Sequence, residues 1–212
     1  MSNTDALIER LTERLQPVQP LRKPWLRAGL WSAFATGVIA LLASLFGTRA
    51  DIAQALGEAK FVVPLCGSWL TGVTAALAAF EVSLPDRSRR WLWLPVLPVL
   101  LWASGFAYGC LADFVAIPEG LPLLPEGAAC IGTILAASAA LLVVLLPMLR
   151  RVRTLRPRLT AWLGCLAIAG FADTAHLLIH TEQASVLALT INLLPALVVV
   201  PLAGLLGPRV VS

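Results

Sequence analysis

Asp173, His176 and His180 are spaced i, i+3 and i+7, so on a helix they share one face. Carboxylate and imidazole at that spacing can hold a proton, a hydrogen-bond network or a metal ion. Three cysteines, Cys66, Cys110 and Cys130, fall toward the same end of neighbouring segments. With the histidines and Asp173 they make a donor set for Zn²⁺ or a softer metal. In an oxidising compartment Cys110 and Cys130 could instead form a disulfide. Cys165 lies away from this group and reads as packing. The chain has no C-x-x-C and no H-E-x-x-H. It has no phosphate-binding glycine loop and no convincing nucleophile–base–acid set, so the expectation is not an enzyme, with no catalytic residues and no resident cofactor beyond that metal.

The elements that must position these groups are apolar. Of 212 residues, 58% are hydrophobic and only 13% are charged, about half the usual charged share of a soluble domain. That composition excludes a disordered chain and a disulfide-scaffold toxin. A bilayer core about 30 Å thick needs roughly 20 apolar residues in a helix. Six stretches qualify: Ala28–Thr48, Phe61–Phe80, Trp91–Ala112, Gly127–Leu149, Leu159 to about His180, and Ala184–Leu206. The expected fold is all-α, a polytopic membrane protein with a bundle of six transmembrane helices. The strict alternation of a β-barrel is missing. Asp173 is the only acid inside these six stretches. Pro64, Pro95, Pro98, Pro147, Pro195 and Pro201 also fall inside them, which membrane helices tolerate through kinks and neighbouring helices. Gly105 and Gly109 form a G-x-x-x-G that permits close helix approach, in the bundle or between copies. The first stretch starts too far in, and is too long, for a cleaved signal peptide.

Charge sets the expected orientation. Every basic residue except Arg49 and Lys60 falls on one side of the six stretches. The other side carries Asp51, Glu58, Asp113, Glu119, Glu126 and Glu182. By the positive-inside rule both termini are expected to be cytoplasmic. Trp25, Trp91, Trp93 and Trp162 fall at the inner ends, where indoles anchor among headgroups. The net charge of +4 follows from this asymmetry and is no nucleic-acid footprint, so no direct nucleic-acid contact is expected.

Residues 1–24 form the largest soluble piece, ahead of a transmembrane domain at 25–208 and a tail at 209–212. Leu7, Ile8, Leu11 and Leu15 make one apolar stripe of a short amphipathic helix, with Ser2, Asn3 and Thr4 as capping residues. Pro17 ends the helix, and Pro17, Val18, Gln19 and Pro20 form a stiff connector to the bilayer. A helix of about three turns is marginal alone in water, so its stripe needs a surface. That surface is the membrane, the protein's own loops, or a partner with a groove. Glu9 and Glu13 on the polar face argue mildly against a helix lying on lipid.

The chain resembles the NrsF-like family of bacterial six-helix membrane anti-sigma factors. The likeness rests on Thr4-Asp5-Ala6-Leu7-Ile8, Leu11, Leu15 and Pro17-Val18-Gln19-Pro20-Leu21. It continues through Pro85 with the basic residues after it, Trp102, Cys110, Gly127-Ala128-Ala129-Cys130 and Leu155-Arg156-Pro157-Arg158-Leu159. The resemblance implies a regulator that holds an extracytoplasmic-function sigma factor at the inner membrane. It implies release by an outer signal such as metal or oxidative stress. Leu7, Ile8, Leu11, Leu15, Pro17, Val18 and Pro20 would then bind the sigma factor. Cys130, Cys110, Asp173, His176 and His180 would serve as sensor or metal residues. The family commonly pairs the Cys130 position with a cysteine after a histidine at the end of span five. Here that position reads His180-Thr181, a departure from the two-cysteine pattern that leaves the inducing signal open. Two other readings compete. A membrane thiol or quinone oxidoreductase would need Cys110 and Cys130 as its reactive pair. A small transporter would suit the proline-broken spans.

Overall fold

The structure, a computed structural model, describes residues 3–13, 22–114, 125–152 and 154–180. Among them every regular element is helical: α1 Asn3–Glu13, α2 Pro24–Phe46, α3 Ile52–Ala55, α4 Ala59–Val82, α5 Val96–Phe114, α6 Pro125–Arg150 and α7 Pro157–Ile179. A 3-10 turn, Arg89–Trp93, precedes α5.

Local sequence explains the boundaries. Pro24 and Pro157 sit at the first turn of α2 and α7, where a missing N–H costs nothing. Gly47 ends α2 with φ of 83°, a backbone angle that favours glycine. Ser88 caps the 3-10 turn by accepting the Arg90 N–H at 3.2 Å.

Four helices are long and apolar enough to cross a membrane: Pro24–Phe46, Ala59–Val82, Gly132–Arg150 and Pro157–Ile179. Among the described residues four of the six expected spans are therefore supported, and six are not. The third expected stretch does not begin as one helix at Trp91. Pro95 disfavours helix at the residue before it, so Arg89–Trp93 turns as 3-10 and α5 starts at Val96. The sixth stretch, like the tail at 209–212, lies outside the described residues. Asp173 is also not the sole acid in these helices, because α4 runs past Phe80 to take in Glu81.

Helix α4 is the hub. It packs along α7 and α5, and α2 closes the bundle against α4, α6 and α7. Small residues allow this. Ala75, Ala76, Ala78 and Ala79 of α4 are fully buried. A Cβ on Gly105 would lie 2.8 Å from Pro64 Cδ, so this half of the G-x-x-x-G serves packing inside the chain. Trp31 and Phe171 meet edge to face at 5.5 Å in the core, beside Phe80, Leu141 and Leu145.

The outside of the bundle is greasier than parts of its inside. Leu30, Leu41, Leu45, Leu97, Leu135 and Val143 are exposed, whereas Ser68, Thr71, Asp173, Thr174 and His176 are buried. Water penalises that distribution and lipid favours it. Two arginines that charge counting leaves in solvent are also buried. Arg27 donates to the Met148 carbonyl near the end of α6, and its guanidinium lies 4.7 Å over the Phe80 ring. Arg49 donates to both oxygens of Asp51, at 2.7 and 2.8 Å, and stacks 4.7 Å over Phe61. Its backbone N–H reaches the Leu178 carbonyl at 3.0 Å, tying this loop to α7.

The Arg49 bond holds the Asp51 carboxyl below the usual carboxylate range. A lowered acid stabilises the fold fully above its unfolded pKa, near 3.9, and loses that contribution as pH falls through its own lower value. The effect is small because Asp51 is exposed. Thermal unfolding of Asp51→Asn should lose this part of the acid limb, with stability near neutral pH only slightly lowered.

Candidate functional site

The C-terminal half of α7 and the His180 that follows it carry the polar groups singled out by spacing, and three other helices bring polar side chains to this end of α7. Asp173 is 2% exposed and His176 is 4% exposed. The indole N–H of Trp102 in α5 donates to Asp173 Oδ2 at 2.8 Å. Ser68 of α4 and Thr174 share a hydrogen bond of 2.9 Å, and Thr174 also donates to the Gly170 carbonyl at 2.8 Å. Thr133 of α6 lies 3.0 Å from His180 Nε2. The His176 and His180 rings follow each other at a centroid distance of 5.1 Å, tilted by 35°. Asp173 Oδ1 and His176 Nδ1 are buried with no hydrogen-bond partner among the described residues.

Among the described residues the contacts here are hydrogen bonds. Among the described residues no three His, Cys, Asp or Glu side chains come together as a metal would require. Asp173 is committed to Trp102, and His180 to Thr133. Cys110 and Cys130 fall within α5 and α6, but their side chains lie outside the described set. Cys66 is a free thiol facing outward from α4, not inward toward α7, and Cys165 is a free, half-buried thiol.

Sequence reasoning missed Trp102 as the partner of Asp173, and missed Ser68 and Thr133 altogether. A buried acid in an apolar span requires a donor, so the need was visible, but its identity was not. Trp102→Phe tests the bond directly. It leaves Asp173 without its donor and should destabilise the fold by about 1–3 kcal/mol, read by thermal unfolding in detergent.

At the opposite end, Glu81 is buried and pairs with Arg87 at 3.3 Å. Arg156, before α7, donates to the Arg87 carbonyl at 3.0 Å. These contacts join the loop after α4 to the loop before α7. Helix α1 presents Leu7, Ile8 and Leu11 to solvent, at 56%, 56% and 60% exposure. Leu15, Pro17, Val18 and Pro20 lie outside the described residues.

A family model described as negative regulator of sigma F matches residues 11–212. The chain belongs to the NrsF family. The match takes in Leu11, the whole bundle and the Asp173 site, and it begins just after Leu7 and Ile8. The family's description names a regulator of a sigma factor, which is not an enzymatic role. No curated protein and no solved structure matches the chain.

Proposed function

We propose that the chain is a membrane-bound anti-sigma factor. Helix α1 and its proline-bearing connector hold an extracytoplasmic-function sigma factor at the inner face of a bacterial inner membrane, with both termini cytoplasmic. A signal at the outer face, metal or oxidative stress, releases it. The observation that carries this reading is the exposed stripe of Leu7, Ile8 and Leu11, on a short helix joined to a bundle of the NrsF family. Such a stripe suits a groove on a partner, where i, i+1 and i+4 side chains act as anchors. Leu15, Pro17, Val18 and Pro20 extend the contact and set the angle at which the chain leaves it. Cys130 and then Cys110 are the leading sensor residues, with His176 and His180 beside them.

The test is binding of the full-length protein, in detergent, to each sigma factor of the host. One tight partner is expected. Equal weak binding to all of them, or none, overturns the proposal.

A further inference from the structure

The geometry points to a proton-binding site at Asp173, reached through His176 and His180 from the end of the bundle where α7 stops. It goes beyond the sigma-factor reading and does not depend on it.

Three observations carry it. First, Asp173 sits in a membrane-type helix at 2% exposure, with one oxygen bonded to Trp102 and the other unpartnered among the described residues. A carboxylate so placed is costly unless a cation or a proton neutralises it. Second, the groups packed around it supply no free cation among the described residues. At this level α4 contributes the Ser68 hydroxyl, and α5 the Trp102 N–H. Toward the outer end α6 contributes Thr133, and the α2–α3 loop contributes Arg49, which is spent on Asp51 and Phe61. Lys60 pairs with Glu58 at 3.0 Å, while Glu81 with Arg87 sits at the other end of α4. Third, one helical turn along, His176 offers a second buried unpartnered atom, Nδ1, and its ring abuts the partly exposed His180.

The step is a proton transfer and nothing else. A proton taken from water at His180 passes by way of His176 to Asp173 Oδ1. An O–H bond forms there, and the carboxylate becomes a neutral acid. The Trp102 bond then loses its charge assistance, so occupancy of the site sets how firmly α5 is tied to α7.

Infrared difference spectroscopy of the full-length protein in detergent reads this directly. A carboxylic-acid C=O band should grow as pH is lowered, vanish in Asp173→Asn, and shift in Trp102→Phe, which removes the donor. Asp173→Glu should keep a band at a moved frequency, which preserves the assignment if the asparagine variant does not fold. After a rapid pH jump the band should appear several-fold more slowly in His176→Leu. A set of pH-dependent carboxylic-acid bands identical in Asp173→Asn and the unaltered protein, with no component lost, overturns the site. An unchanged rate in His176→Leu overturns the route.

Discussion

Leu11→Asp is expected to weaken sigma-factor binding by about a hundredfold or more, while the protein inserts and unfolds as before. Leu11 is 60% exposed in the free chain, so the bundle gives up nothing when it changes. A leucine buried in a partner's groove contributes about 1.5–3 kcal/mol. A carboxylate in the same place adds a desolvation cost, and about 1.4 kcal/mol is a tenfold change in affinity. The measurement is a titration of the full-length variant in detergent against the partner found for the parent protein. Glu13→Gln, on the opposite face of α1, is the matched control and should bind as tightly as the parent. If the two variants bind alike, the contact surface is not this stripe.

The two ends of the molecule were legible to different degrees, for physical reasons. The stripe on α1 is a local pattern, and local spacing suffices to find it. Spans α2, α4, α6 and α7 were equally visible, since an apolar run bounded by charge is also local. The start of α5 was harder, because Pro95 and Pro98 admit either a kinked helix or a break, and the chain takes the break. Depth was the least legible property. Charge counting left Arg27 and Arg49 outside the apolar spans, yet both are buried against aromatic rings. A charge pattern tells which side of a membrane a residue favours and says nothing of what it packs on. The Asp173–Trp102 bond joins residues 71 apart, and no periodicity within one helix encodes that choice. The sequence established that Asp173 needed a donor. Only the packing of α5 and α7 around α4 chooses Trp102.

That packing makes a second large effect predictable. A Cβ at Gly170 would lie 2.6 Å from the Ser68 carbonyl oxygen and 2.7 Å from the Gly72 nitrogen. Both are backbone atoms of α4, so no side chain can swing aside, and α4 and α7 must separate. Separation strains the Ser68–Thr174 bond one turn further on. It also disturbs Phe171, whose ring fills the space where Gly72 would carry a side chain. Overpacking of this kind costs typically about 1–3 kcal/mol, and a backbone contact belongs at the upper end. Gly170→Ala should therefore lower stability by about 3 kcal/mol in thermal or denaturant unfolding followed by helical circular dichroism. Gly29→Ala separates this effect from helix propensity, since a Cβ there meets nothing within 4 Å. It should be neutral or stabilise by up to about 1 kcal/mol. The prediction turns on the difference in sign. Both substitutions improve intrinsic helix propensity equally, so only the close approach of α4 to α7 can make one of them harmful. A Gly170→Ala protein as stable as Gly29→Ala would mean that the two helices stand further apart than this, and the polar groups they bring to Asp173 with them.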